Sequence, residues 1–284
     1  MTTHGPGTVA AREVTPARRW AWVGVLVGGV ALYLAVERAL VTTQNPNYIP
    51  SALLLGSIVV PAAFVTYIYG QGSTWTMPAP ALAIAAVAGG VIGVVVAGIL
   101  EYETLRDQGV LSTMGIGAIE ESSKLIVPLA LLVALPRHRS EADGLVVGVT
   151  VGASFAALET MGYGFTTLLA SGGNVGEVED LLLLRGLLSP AGHMAWTGLA
   201  CAALYRAWSE WQRGQAGLVF LVTFAVVVVL HGLWDGLGTL PAYIVIGVIS
   251  LGLLALEVYR TLHQHPRAGP GDRPAAAGRL TSLG

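Results

Sequence analysis

Charge is scarce in this chain. Only 11% of its 284 residues are Asp, Glu, Lys or Arg, less than half of the roughly 25% usual in soluble domains. Hydrophobic residues make up 54%, which places the chain among membrane proteins before any motif is considered. The net charge of −2 and pI near 6.3 supply no basic face, so nucleic acid is excluded as a partner. The single cysteine, Cys201, lies in an apolar run; it allows no intramolecular disulfide and reads as packing. Lysine is equally rare: Lys124 is the only one among the 15 basic residues. No connection between the apolar runs is long enough to fold as a soluble domain.

A helix needs about 20 apolar residues to cross a bilayer core of about 30 Å. Eight stretches qualify: Trp20 to Leu40, Ser51 to Tyr69, Pro80 to Leu100, Leu111 to Leu135, Gly144 to Ala170, Leu181 to Arg206, Ala216 to Leu237 and Leu240 to Tyr259. The expected fold is therefore all-α, a multi-pass cell-membrane protein of about eight transmembrane helices. The first run follows Arg18 and Arg19 but is too long for a signal-peptide core and should remain as an anchor. Residues 1–17 and 261–284, rich in Pro, Gly, Ala and Arg, are expected to be disordered, with a transmembrane domain over 18–260.

Basic residues favour the cytoplasmic side of short loops. Arg12, Arg18, Arg19, Arg137, Arg139, Arg206, Arg213, Arg260, Arg267, Arg273 and Arg279 fall on one side of the expected topology, and Arg38, Arg106 and Arg185 on the other. The second side also carries Glu101, Glu103, Asp107, Glu177, Glu179 and Asp180. Both termini are thus expected in the cytoplasm. Trp20, Trp22, Trp208 and Trp211 fall at the inner boundary, where amphipathic rings settle.

An ionisable side chain near the bilayer centre costs about 2.5–3.5 kcal/mol on insertion scales, so it usually faces a polar interior and serves a purpose. The fourth to seventh spans carry Glu120, Glu121 and Lys124; Glu159; His193; and His231 with Asp235. Helical rise puts this group in a band roughly 10–18 Å below the outer surface. Glu120 and Lys124, one turn apart, can pair, while Glu121 points about 100° away around the helix, which leaves Glu121 as the available carboxylate. Glu37 with Arg38 and Glu257 with Arg260 lie at span ends, where side chains reach the interface.

A carboxylate beside imidazoles in a low-dielectric cavity suits activation of water, with Glu121 the expected general base whether or not a metal binds. Peptide hydrolysis also needs donors for an oxyanion and a proton for the leaving amine, for which His193, His231 and Lys124 are candidates. Glu120, Glu159, His193 and His231 are equally suitable zinc ligands, although the H-E-x-x-H zinc helix is absent. Ser122 and Ser123 lack a nucleophile elbow. The rival class is a proton-coupled transporter or channel using the Glu, His and Asp chain as a relay; inverted repeats or interrupted helices would mark it, and only Pro61 and Pro128 hint at interruptions. Trp196 and Trp234 each follow a His by three residues, as cavity wall or as helix packing.

The ordered set Glu120-Glu121-x-x-Lys124, Asp143-Gly144 leading to Phe155-Ala156-x-x-Glu159, His193-x-x-Trp196-Thr197 and His231-x-x-x-Asp235 resembles the PrsW family of intramembrane proteases, over roughly 109–238. The resemblance implies a polytopic protease related to CAAX prenyl endoproteases, some of whose members cut membrane-anchored anti-sigma factors at an extracytoplasmic site. It implies an active site between the fourth and seventh helices, formed by Glu120, Glu121, Glu159, His193 and His231 with Lys124, Asp235, Phe155, Trp196 and Trp234 in support. It also implies a membrane-anchored protein substrate in the lipid bilayer. Zinc and metal-free glutamate chemistry both remain open, because Glu159 stands where the related CAAX enzymes have His. Oligomeric state is not legible.

Overall fold

The structure, a computed structural model, describes residues 15–72, 74–105 and 111–263. The termini expected to be disordered lie outside these residues except for 15–17 and 261–263, and Arg106 and Asp107 also lie outside. No strand occurs among the described residues. The helices are α1 (Pro16–Thr43), α2 (Ile49–Gln71), α3 (Ala79–Ile84), α4 (Gly90–Leu105), α5 (Leu111–Lys124), α6 (Ile126–Ala134), α7 (Glu141–Ala170), α8 (Val175–Leu188), α9 (His193–Ser209), α10 (Gln215–Leu237) and α11 (Leu240–His263). A π-helical turn, Ala85–Gly89, joins α3 to α4.

Among the described residues, six continuous stretches are long and apolar enough to cross a membrane: Pro16–Thr43, Pro46–Gln71, Ala79–Thr104, Glu141–Ala170, Gln215–Leu237 and Leu240–His263. The other two expected spans, the fourth and the sixth, are interrupted. In the fourth, Pro128 has no N–H to return to the carbonyl of Lys124; Leu125 N instead bonds Ser122 O at 3.1 Å and the helix restarts at Ile126. In the sixth, α8 ends at Leu188, a 3-10 turn occupies Ser189–Ala191, and α9 starts at His193 after Gly192. Pro190 and Gly192 lie within that break. Irregular backbone at membrane depth persists only where protein buries it or where it lines a hydrated cavity, so both breaks point to the same interior.

The centre of the bundle is α7, 78% of whose apolar window is buried, against 6–33% for the other five stretches. Its N-terminus is fixed by a capping box between Ser140 and Asp143. Asp143 Oδ1 also accepts from the backbone N–H groups of Thr76 (2.7 Å) and Met77 (2.8 Å), tying the α2–α3 connection to α7. The Asp143-Gly144 motif is therefore structural.

Gly144, Gly148 and Gly152 form a stripe at every fourth position of α7, a small-residue surface that lets helix backbones approach closely. A Cβ on Gly148 would meet the carbonyl of Thr197, and one on Gly152 the carbonyl of His193. Because Gly144 faces Cys201 and Tyr205, α7 and α9 run antiparallel, and the stripe holds the start of α9 against the middle of α7. Cys201 is fully buried in this contact, as packing requires. Similarly, Gly117 of α5 lies against Val228, His231 and Gly232 of α10. Trp20, Trp208 and Trp211 are exposed, as residues of an interfacial belt should be.

Candidate active site

The last turn of α5, the middle of α7, the first residue of α9 and the C-terminal part of α10 converge on one point. Lys124 is at its centre, completely buried, with Nζ 2.9 Å from Glu120 Oε2, 2.8 Å from Glu121 Oε1 and 2.8 Å from His193 Nδ1. The ring of Phe155 caps the ammonium at 3.9 Å. All five acidic and imidazole groups expected to meet do so.

The division of labour between the two carboxylates differs from the sequence expectation. A lysine ending a helix can fold back over residues three and four positions earlier, so Lys124 pairs with both glutamates and the 100° separation does not free Glu121. Glu121 is instead the most enclosed, at 0% exposure. Its Oε1 also bonds His231 Nδ1 at 2.9 Å, and its Oε2 accepts from Thr197 Oγ1 at 3.3 Å. Glu120 retains 7% exposure, and only its Oε2 enters these bonds, with His231 Nε2 at 3.5 Å and His193 Nδ1 at 3.9 Å.

Glu159 also departs from expectation. It bonds His193 Nε2 at 2.8 Å and accepts from Arg185 Nη2 at 2.8 Å, so it stands behind His193 and outside the group of candidate ligands. His193 itself does not lie deep in a continuous helix; it opens α9 directly after the break at Gly192. Asp235 Oδ2 is 3.4 Å from His231 Nε2, and its side chain is 33% exposed, which marks the exposed end of the cluster.

The hydrogen-bond pattern sets the imidazole tautomers. An ionised carboxylate only accepts, so Nε2 of His193 donates to Glu159 and Nδ1 of His231 donates to Glu121. The other two ring nitrogens, His193 Nδ1 and His231 Nε2, turn toward Glu120. One donor atom each from Glu120, His193 and His231 lies within 4.8 Å of the others, all three residues being buried among their neighbours. Two imidazoles and a carboxylate, each imidazole backed by a second carboxylate that fixes its ring, match the ligand chemistry of zinc and its outer-shell partners. The donor set therefore fits a metal ion. Lys124 Nζ now takes the lone pair of His193 Nδ1 and would have to yield it.

Trp196 is buried and stacks on His231, with ring centroids 4.7 Å apart, and donates from Nε1 to Ser250 Oγ at 2.9 Å. Trp234 meets it edge-on at 5.8 Å. Both line a cavity of about 370 Å³ that reaches His193, so they wall the cavity as well as pack. Ser122 and Ser123 turn their hydroxyls back onto the carbonyls of Ala118 and Ile119.

Sequence reasoning counted Arg185 on the outer side and placed Glu101 in an outer loop, giving neither a part in the site. Arg185 lies in α8, bonds Glu159 and Thr160, and packs its guanidinium 4.1 Å from the Tyr163 ring centroid. Its signal was visible: it stands after four leucines, inside an apolar run. Glu101, in α4, has Oε1 buried without a hydrogen-bond partner among the described residues and lies within electrostatic range of Glu120, Glu159, His231 and Lys124.

No curated protein and no solved structure matches the chain. Residues 77–259, well over half of the sequence, match the profile described as PrsW family intramembrane metalloprotease. That match extends from the loop pinned by Asp143 to near the end of α11, and so contains every residue of the cluster. With its carboxylates and imidazoles gathered inside a membrane bundle, the chain belongs to the PrsW family of intramembrane metalloproteases.

Proposed function

We propose that this protease hydrolyses a peptide bond of a membrane-anchored protein, of the anti-sigma-factor kind, near its extracytoplasmic end, with Glu120 activating the water. The observation that carries this reading is the contrast between the two motif glutamates: Glu121 is sealed among Lys124, His231 and Thr197, while Glu120 keeps one oxygen outside those bonds. A general base must reach the proton it abstracts, and only Glu120 is placed for that.

Glu120 through its Oε2, with His193 and His231, would hold a zinc ion, which would supply Lewis acidity toward the attacking water and the scissile carbonyl and would leave the other Glu120 oxygen for the proton. The proton transfers fall to the chain's own groups. Glu120 takes a proton as water oxygen bonds to the carbonyl carbon, and returns it to the amide nitrogen as the C–N bond breaks. Lys124, desolvated beside the reacting group, places a fixed positive charge near the developing oxyanion. Glu159 and Glu121 hold the two imidazoles in register through His193 Nε2 and His231 Nδ1.

Broken helices also occur in transporters, but membership of a protease family favours hydrolysis. The topology we favour has both termini in the cytoplasm, following the arginine distribution, which opens the outer ends of α7 and α10 toward the extracytoplasmic side. Purified protein in detergent should cut a single-span substrate near that end, and Glu120→Gln or His231→Ala should abolish cutting with expression intact. Undiminished cutting by both variants would reject the assignment.

A further inference from the structure

The cavity of about 370 Å³ beside His193 is not accounted for by the chemistry alone. One wall is the face of α8 bearing Leu181, Leu184 and Leu188, spaced three and four residues apart so that they align. The opposite wall is Trp196, Trp234 and Tyr243, with Trp234 and Tyr243 centroids 4.6 Å apart. Because α8 packs on α7 and α2, its leucine face is left turned to the cavity. Leu183 and Leu187, next in sequence to Leu184 and Leu188 of α8, and Ile244, next to Tyr243 of α11, are between 55% and 63% exposed, as expected of side chains that meet lipid.

A third feature selects the occupant. Thr160, Asp180 and Arg185 also line the cavity. A lipid chain has no use for such groups, whereas a transmembrane helix must unwind to expose a peptide bond, and its freed N–H and C=O groups then need partners at membrane depth. Volume and lining suit a preformed ligand pocket, and His193 makes it continuous with the catalytic cluster.

Building on the hydrolytic reading above, we infer that the substrate enters sideways from the bilayer between α8 and the α10–α11 turn and seats a bulky apolar side chain, next to the scissile bond, against Trp196, Trp234 and Tyr243. The enzyme therefore selects membrane proteins whose unwound segment carries Leu, Ile, Met or Phe beside the cut, and Leu184 tunes the size accepted.

The test uses the full-length protein and a library of single-span proteins randomised across the extracytoplasmic end of the span, with cut positions read by mass spectrometry. Bulky apolar residues should be enriched at one position flanking the cut. Leu184→Trp, which narrows the cavity outside the catalytic groups, should lower kcat/KM for the preferred bulky substrate at least about tenfold relative to its alanine analogue, since a single methylene in an apolar pocket is already worth about 10–200-fold. Cutting without side-chain preference, as when a lipid chain fills the cleft, overturns the pocket but leaves hydrolysis standing. No cutting of any library member overturns the hydrolytic reading itself. Should Leu184→Trp not fold, the wild-type preference decides alone.

Discussion

Glu121 Oε1 and His231 Nδ1, 110 residues apart in sequence, are joined by a 2.9 Å bond at full burial. The same oxygen accepts from Lys124, so one carboxylate holds α5 against α10 and fixes the tautomer of the imidazole that faces Glu120.

The two motif glutamates should therefore behave differently. Removing one partner of a buried ion pair leaves an uncompensated charge and costs about 3–5 kcal/mol, so Glu121→Leu should lose both activity and thermal stability in detergent. Glu120→Gln, whose amide oxygen can still accept from Lys124, should lose activity with a smaller fall in its unfolding midpoint than Glu121→Leu. Equal destabilisation by the two changes would contradict the assignment of roles.

Glu159 orients His193 through Nε2, and loss of such an outer-shell carboxylate typically costs about 10–100-fold in activity or metal affinity. We expect a drop of that order for Glu159→Ala and a smaller one for Glu159→Gln, whose amide oxygen can still accept the N–H. Rates measured on one substrate suffice. If Gln were as damaging as Ala, the hydrogen bond would not be the cause.

Elemental analysis of the purified protein should find close to one zinc per chain, and His193→Ala, His231→Ala and Glu120→Ala should each deplete it. Glu159→Ala should retain more metal than these three, because Glu159 is no ligand in this geometry. Zinc content unchanged by all three substitutions would place the ion elsewhere.

Gly148→Leu should separate α7 from α9. Its Cβ would meet the Thr197 carbonyl and lie 2.7 Å from Cys201 Cβ, and overpacking of this kind costs about 1–3 kcal/mol or more. Gly24→Leu, at a position with nothing within 4 Å, is the control. A melting experiment in detergent should show a lower midpoint only for the first.

Much of this was legible in the linear chain because membrane helices obey a one-dimensional rule: length and hydropathy locate them, and an ionisable residue inside one needs a purpose. Glu120, Glu121, Glu159, His193 and His231 stand out on that ground alone, and their common depth follows from helical rise. The breaks were less legible. Pro128 interrupts its helix while Pro61 stays inside α2, so proline by itself does not decide continuity; packing around the freed backbone groups does.

The sequence by itself determined the membrane class, the apolar runs and the set of groups that must meet. Only the tertiary structure decided which glutamate is sealed and which is accessible, that Glu159 stands behind His193, and that Arg185 turns inward from α8. The physical reason is that hydropathy and periodicity act along one helix, whereas hydrogen-bond partners are assigned across helices, by where the Gly144, Gly148 and Gly152 stripe lets α9 approach and by where Lys124 can reach.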